Sequence, residues 1–234
     1  MAGEGSRFLK EGWTTPKPLI ELKGVPLFMR ATNSVSADDI SMKHSFIVRQ
    51  EHIDKYQLDE RIKAILPDAN IFSVEKTTRG AVETCLKAES AIDDDDAVIV
   101  MDCDLEFSSN ALMQNIKSIL SQPSEDVNGG LLVSFESDSP KYSYAEVDAD
   151  NRVVRTAEKE VISSHALCGA YFFSTGKDFL RVAHQLLEDA NFNKPEFYLS
   201  LLFNYLLADG ETVRLCPMEK YCSYGTPEEL KRYL

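Results

Sequence analysis

The sequence predicts an α/β protein in which a mixed, mainly parallel sheet lies between two layers of helices, giving a three-layer fold. Segments with strand periodicity alternate with amphipathic helical segments along the first half of the chain. The run at 97–101, Ala-Val-Ile-Val-Met, is wholly apolar, as expected for a strand covered on both faces. After residue 143, short strands separated by turn signals predict a small antiparallel patch beside the main sheet.

The elements follow from these patterns in chain order. The first half should contain strands at 44–48, 70–74, 97–101 and 131–135, and helices at 54–66, 80–91 and 108–121. The second half should contain strands at 143–147, 153–157, 166–173 and 212–215, helices at 177–190 and 196–208, and a last helix from Thr226. Ile62, Ile65 and Leu66 give the helix at 54–66 an apolar face, and Ser-Ser-Asn offers an N-cap to the helix at 108–121. In a sheet of this kind ligands bind at the carboxyl ends of the strands.

Composition excludes several classes of function. The 234 residues fit one domain, 1–234, and 38 Asp and Glu against 25 Lys and Arg give a net charge of −13. Such a charge argues against nucleic-acid or anionic-membrane partners, although a few basic side chains can still bind a phosphate. No apolar run approaches a membrane span, and no signal peptide is evident. The five scattered cysteines lack Cys-x-x-Cys spacing and indicate a reducing, cytoplasmic location.

The opening segment Ala2-Gly3-Glu4-Gly5-Ser6-Arg7 contains a phosphate-binding pattern. Its two glycines permit a tight turn that brings backbone N–H groups close to a phosphate, and Arg7 adds a planar, permanently charged group. Alone, such a pair of glycines is also typical of a flexible tail. Lys17 follows between Pro16 and Pro18, which restrict the backbone and can hold the ammonium group at a fixed point.

Together these segments resemble the signature of the sugar-phosphate nucleotidyltransferase family, Gly-x-Gly-[Ser/Thr]-Arg followed by Pro-Lys-Pro-Leu. Further segments resemble that family in the same order along nearly the whole chain: Thr78-Arg79-Gly80-Ala81, the strand ending Asp102-Cys103-Asp104, Glu158-Lys159 with Gly169 to Phe173, and Gly225-Thr226-Pro227. The resemblance implies a nucleotide-binding, Rossmann-like fold whose antiparallel patch lies on the substrate side. Short cytidylyltransferase-like members belong to the same group.

The resemblance also implies roles for particular residues. Arg7, Lys17 and Asp104 would be catalytic: Arg7 neutralises the leaving pyrophosphate, Lys17 stabilises charge around the α-phosphate, and Asp104 binds Mg²⁺. The nucleotide would be bound by Ala2, Gly3, Gly5, Ser6, Thr78, Gly80 and Asp102. The second substrate would be bound by Glu158, Lys159 and Gly169, and Glu196 is the candidate for a second metal carboxylate.

The chemistry is consistent with these residue types. A phosphate monoester attacks the α-phosphorus of a nucleoside triphosphate, and pyrophosphate leaves. The nucleophile is already anionic, so catalysis consists of positioning and charge neutralisation, and a divalent cation is expected to help bring the two anions together.

Several alternatives remain open. Asp102 and Asp104 could instead cap a following helix, although the apolar strand before them favours a functional role. Glu196 could be a first-turn acid favoured by a helix dipole. The family's glycine loop normally follows an apolar strand, so we expect a native strand upstream of residue 1.

The sequence therefore predicts a nucleotidyltransferase that acts on a phosphate monoester, with a sugar 1-phosphate as the favoured acceptor and nucleotide-sugar and polysaccharide biosynthesis as its setting. Alternatives are a CTP-dependent cytidylyltransferase acting on a phosphate such as phosphocholine, a metal-dependent glycosyltransferase, and a nucleotide sensor without turnover. Arg7 and the Pro-Lys-Pro segment argue against the glycosyltransferase, since no pyrophosphate leaves there. The base, the acceptor and the oligomeric state, with a homodimer as one option, stay open.

Overall fold

The computed structural model describes residues 1–122 and 125–234. The strands are β1 Glu21–Leu22, β2 Val25–Pro26, β3 Ser45–Arg49, β4 Asn70–Val74, β5 Val98–Met101, β6 Leu105–Ser108, β7 Gly130–Glu136, β8 Ser143–Val147, β9 Val153–Glu158, β10 His165–Phe173, β11 Val213–Pro217 and β12 Lys220–Ser223. The helices are α1 Ser6–Lys10, α2 Leu27–Asn33, α3 Gln50–Tyr56, α4 Leu58–Ile65, α5 Ala81–Cys85, α6 Asn110–Ser121, α7 Gly176–Glu188, α8 Leu202–Ala208 and α9 Pro227–Lys231. Short 3-10 turns occupy Lys17–Leu19, Leu86–Ala91, Glu125–Val127 and Leu199–Leu201.

The described chain divides into two compact units. The first unit comprises Met1–Thr78, Asp102–Ser108 and Lys220–Leu234. The second unit comprises Arg79–Met101 and Ser109–Glu219. No helix in the described ranges is long and apolar enough to cross a bilayer.

The second unit is built on a mixed sheet. β10 pairs antiparallel with β7 along one edge and with β5 along the other, while β11 pairs parallel with β7. β5, β7 and β11 therefore run in one direction, and β10 runs against them. The antiparallel pair β8–β9 joins β10 through Tyr144 and Ala166. The predicted α/β class, with a mixed sheet and a small antiparallel patch, is confirmed.

The core of the second unit lies between this sheet and two helices. α7 buries Phe179, Val182, Ala183 and Leu186, whose helical spacing places them on one face. Phe173 of β10 packs against Phe179 and Phe203, with ring centres 5.0 and 4.7 Å away.

Among the described residues, the first unit holds three two-stranded sheets, of which the smallest is the antiparallel pair β1–β2. β3 and β4 pair in parallel, and Val48, Leu58 and Ile62 form a core with Phe28 of α2. β6 pairs antiparallel with β12, although the two strands are more than a hundred residues apart in the sequence. Phe8 of α1 packs into a second core with Leu27, Tyr224 and Leu230.

Three predicted helices differ from the structure. The helix expected at 80–91 consists of α5 followed by the 3-10 turn at Leu86–Ala91. The helix expected at 54–66 is two helices, α3 and α4, because Gln57 adopts the left-handed conformation (φ 52) at their junction. In place of the helix expected at 196–208, a 3-10 turn occupies Leu199–Leu201 and α8 follows from Leu202, because the backbone of Phe197 is hydrogen-bonded to another segment.

Candidate functional site

The glycine loop leads directly into α1. Gly5 is left-handed (φ 62), a conformation that glycine adopts without strain, and its carbonyl accepts hydrogen bonds from the N–H groups of Phe8 and Leu9 at 2.9 and 3.2 Å. Nothing lies within 4 Å of the position that a Cβ would take at Gly3 or Gly5. No side chain caps the start of α1. The loop therefore offers open space and uncapped N–H groups to an anion.

The loop is tied to the ends of two parallel strands. Arg49, the last residue of β3, donates through Nη1 to the carbonyl of Ala2 at 3.5 Å and to Oγ1 of Thr77 at 3.3 Å. Thr77 follows β4 and donates to Oε1 of Glu4 at 3.1 Å. The glycine loop thus lies at the carboxyl ends of β3 and β4, where α/β sheets bind ligands.

Lys17 and Asp104 form an ion pair. The Lys17 ammonium lies 5.6 Å from the ring centre of Phe8 in α1, and its side chain is only 19% exposed. Burial is the largest single effect and acts to lower the pKa of Lys17, but the charge and hydrogen bond of Asp104, together with Cys103 and Asp102, hold the pKa above its ordinary value. Lys17 therefore carries its charge at neutral pH.

The Gly-Thr-Pro segment supports Asp104. The N–H of Tyr224 donates to the carbonyl of Asp104 at 2.7 Å. A Cβ at Gly225 would lie 3.6 Å from Asp104 Oδ2, an ordinary van der Waals distance, so Gly225 lies beside this carboxylate. Thr226 caps α9 in a capping box with Glu229, which fixes the segment. Asp104 precedes a strand, β6, rather than a helix, so the helix-capping interpretation of Asp102 and Asp104 is wrong.

Sequence reasoning missed Glu106, two residues beyond Asp104 on the same strand. Its carboxylate accepts hydrogen bonds from Arg30 Nη1 at 2.7 Å, Lys220 Nζ at 2.7 Å and Tyr224 Oη at 2.9 Å. Partial burial acts to raise the pKa of Glu106, but these donors lower it to about 2. The signal available in the sequence was the alternation of acidic residues at 102, 104 and 106, although only Glu106 lies within a strand.

The second unit brings together the residues expected to bind the second substrate. Glu158, at the end of β9, accepts a hydrogen bond from Ser200 Oγ at 2.9 Å. Burial raises the pKa of Glu158, and the negative charge of Glu196 adds to the rise. Lys159 is left-handed (φ 55) and donates to Tyr198 Oη at 3.0 Å, with its ammonium 4.8 Å from the ring centre. The hydrogen bond to Tyr198 raises the pKa of Lys159.

The remaining predicted residues take the following places. Arg7 and Ser6 are exposed on α1, Thr78 is half-buried, and Asp102 is exposed after β5. Gly169 is buried at a bulge in β10 with φ 93. Glu196 is exposed and precedes the 3-10 turn at Leu199, so it is not a first-turn acid.

Gly80 lies against the backbone of Phe197. Its φ of 151 favours glycine, and a Cβ there would lie only 2.4 Å from Phe197 N. Gly80 and Glu196 thus belong to neighbouring segments of the second unit.

The donor set fits magnesium. In the part of the chain that the structure describes, no group of three or more His, Cys, Asp or Glu side chains could hold a metal ion. Mg²⁺ needs only one or two protein carboxylates and completes its coordination with water and substrate phosphates. Asp104, 24% exposed, offers hard oxygen atoms of this kind.

Comparisons with known proteins identify the family of the chain and solved structures with the same fold. The family model described as Nucleotidyl transferase matches residues 1–221. A solved nucleoside-diphosphate-sugar pyrophosphorylase from Vibrio cholerae RC9 is 26% identical, with 100% of this chain and 97% of that chain covered and a TM-score of 0.84. The inositol-1-phosphate CTP transferase from T. maritima is 18% identical, with coverages of 99% and 90% and a TM-score of 0.72. An apo UDP-glucose pyrophosphorylase is 16% identical, with coverages of 99% and 93% and a TM-score of 0.70. No curated protein matches.

Proposed function

The chain belongs to the nucleotidyl transferase family, and we propose that it transfers a nucleoside monophosphate from a nucleoside triphosphate to a sugar 1-phosphate. The products are a nucleotide sugar and pyrophosphate. The relative from Vibrio cholerae, described as a nucleoside-diphosphate-sugar pyrophosphorylase, supports this acceptor class over the full length of the chain.

The observation that carries the proposal is that three motifs far apart in the sequence lie close together in the first unit. Lys17 pairs with Asp104, its ammonium lies over Phe8 directly after the glycine loop, and Gly225 lies beside the Asp104 carboxylate. A glycine loop suited to phosphate, a half-buried cation and a carboxylate in one place are the parts that nucleotidyl transfer needs.

Each step of the reaction has a candidate group. The glycine loop holds the triphosphate, and an acceptor phosphate oxygen attacks the α-phosphorus. The bond from that phosphorus to the β-phosphate oxygen breaks, and pyrophosphate leaves beside Arg7. Lys17 offsets the charge that builds up on the α-phosphate oxygens. Asp104 would hold Mg²⁺, which supplies further charge neutralisation when bound. Glu196 is a separate candidate for a second metal carboxylate.

The acceptor side favours a sugar over a quaternary amine such as phosphocholine. Glu158 is a half-buried carboxylate suited to accept hydrogen bonds from hydroxyl groups, and Lys159 suits a phosphate. A trimethylammonium group needs free aromatic faces. Here the Lys159 ammonium already lies 4.8 Å from the ring centre of Tyr198, and the Arg79 guanidinium lies 5.0 Å from the ring centre of Phe197.

A pyrophosphate-release screen tests the proposal. The four nucleoside triphosphates are each combined with hexose 1-phosphates, inositol 1-phosphate and phosphocholine in the presence of Mg²⁺, with Asp104→Asn as the inactive control. We expect release with at least one sugar 1-phosphate and none from the variant. Release with phosphocholine alone would move the protein to the cytidylyltransferase alternative. No release from any pair would refute the proposed function.

A further inference from the structure

Phe197 is bonded through its backbone to the segment expected to contact the nucleotide. Its N–H donates to the carbonyl of Arg79 at 3.1 Å, and its carbonyl accepts from the N–H of Val82 at 3.1 Å. Gly80, between these two residues, lies so close that a Cβ would be 2.4 Å from Phe197 N and 2.6 Å from Phe197 O. Residues 79–82 and Phe197 are therefore held at a fixed separation.

The ring of Phe197 strengthens this attachment. The Arg79 guanidinium lies 5.0 Å from the ring centre, and Phe192 stacks on the same ring with centres 4.7 Å apart and planes 14° apart. Cation–π and aromatic contacts of this kind stabilise a geometry that backbone hydrogen bonds alone would leave free to pivot.

The two neighbours of Phe197 in the sequence belong to the acceptor cluster. Tyr198 holds the Lys159 ammonium through its hydroxyl at 3.0 Å and through its ring. The negative charge of Glu196 acts on both Glu158 and Lys159. A displacement of Phe197 must therefore move the groups that hold Lys159.

We propose that Phe197 is a positioning residue that couples nucleotide binding at residues 79–82 to acceptor binding at Glu158 and Lys159. Fixing 79–82 with a nucleotide fixes Phe197, and Phe197 then sets Tyr198 and Glu196 around the acceptor. Such coupling is reciprocal, because each ligand must strengthen the binding of the other by the same factor. This inference rests on the proposed function.

Hydrogen exchange tests the coupling without turnover. Wild-type protein is exposed to deuterium with ATP, CTP, GTP or UTP alone, and peptides covering 79–86 and 192–201 are followed. We expect the nucleotide that protects 79–86 to protect 192–201 as well. Protection of 79–86 with unchanged exchange at 192–201 would overturn the coupling and leave the proposed function untouched.

Two variants test the same coupling from opposite sides. Gly80→Ala requires the two segments to separate by roughly 1 Å, because a Cβ 2.4 Å from Phe197 N must move out to an ordinary contact distance of 3.4 Å. We therefore expect it to weaken acceptor binding roughly fivefold or more, although it lies on the nucleotide side. Phe197→Ala should weaken nucleotide binding by a similar factor, and Phe197→Tyr, which keeps the ring, should restore it. Dissociation constants are measured by calorimetry for the triphosphate and the sugar 1-phosphate separately and together.

Gly210→Ala is the matched control. Gly210 is also left-handed (φ 83), but nothing lies within 4 Å of the position of its Cβ. We expect this variant to bind both ligands normally. If Gly80→Ala and Phe197→Ala each weaken only the ligand on their own side, the coupling is wrong. Absence of pyrophosphate release in the wild type would refute the proposed function, and the exchange measurement would still decide the coupling.

Discussion

Glu106 allows a quantitative prediction, because a single carboxylate binds two cations and a phenol. Glu106→Gln keeps the shape of the side chain and removes its charge. The pKa of Glu106 falls from 4.5 to about 2, which corresponds to about 3 kcal/mol of folding free energy at neutral pH. The side chain is 20% exposed, so screening reduces this only in part, and we expect a loss of about 2–3 kcal/mol.

The loss should depend on pH in a defined direction. The pKa of Glu106 is lower in the folded than in the unfolded protein, so its stabilisation is present above pH 4.5 and is lost as the pH falls from 4.5 towards 2. The difference in stability between wild type and Glu106→Gln should therefore be full at pH 7 and fall by about half or more at pH 3.

Thermal denaturation followed by circular dichroism measures the effect. For a chain of this size, about 2–3 kcal/mol corresponds to a decrease in Tm of roughly 5–10 °C at pH 7. Glu51→Gln is the control, because Glu51 forms an exposed pair with Lys55 at 2.6 Å on one helix face, and its loss should leave Tm unchanged. Equal Tm values for wild type and Glu106→Gln at pH 7, or a difference equally large at pH 3, would refute the reasoning.

Four further predictions concern the site and the fold. Asp104→Asn should abolish pyrophosphate release and leave the circular dichroism spectrum unchanged, and wild-type release would contradict its role. Lys17→Ala should lower kcat about tenfold or more with a smaller change in KM, because its charge acts on the reacting phosphate; steady-state kinetics with a raised KM alone would assign Lys17 to binding instead. Chelation with EDTA should stop turnover, and added Mg²⁺ should restore it; turnover unaffected by EDTA would argue against the metal. Burial raises the pKa of Glu211 to about 6, so ionisation of this side chain lowers the stability of the folded protein as the pH rises from 4.5 through 6. In urea denaturation, Glu211→Gln should therefore be more stable than wild type by about 1–2 kcal/mol at pH 7.5 and equal to it at pH 4. Equal urea midpoints at pH 7.5 would contradict this.

The elements that could be predicted are those whose signal is local. The apolar run at 97–101 and the alternation at 143–147 identified β5 and β8 to within one residue. The spacing of buried residues identified α7. In contrast, β6 and β12 are four residues each, and each is stabilised by a partner far along the chain, so neither segment carries a strand signal of its own.

The candidate site likewise combines residues that a local motif identifies with contacts that depend on distant parts of the chain. The glycine loop, Lys17 and Asp104 lie in recognisable motifs, and their proximity in the first unit agrees with the resemblance. The environment of Glu106 could not be predicted, because its donors come from residues 30, 220 and 224, which no spacing rule connects. Such a network depends on the completed packing of α2, β6 and β12.

Gly80 shows that a motif can give only one of the physical reasons why a position requires glycine. The resemblance assigns Gly80 to nucleotide binding, where the lack of a side chain would let the backbone approach a ligand. The contact with Phe197 gives a second reason that applies before any ligand binds, since a Cβ would lie 2.4 Å from a backbone nitrogen. A backbone contact of this kind has no side-chain signature, and Phe197 itself resembles any half-buried aromatic residue in the sequence. A residue can therefore position both substrates while carrying no recognisable motif, and it is found only when the backbone partners of the motif residues are known.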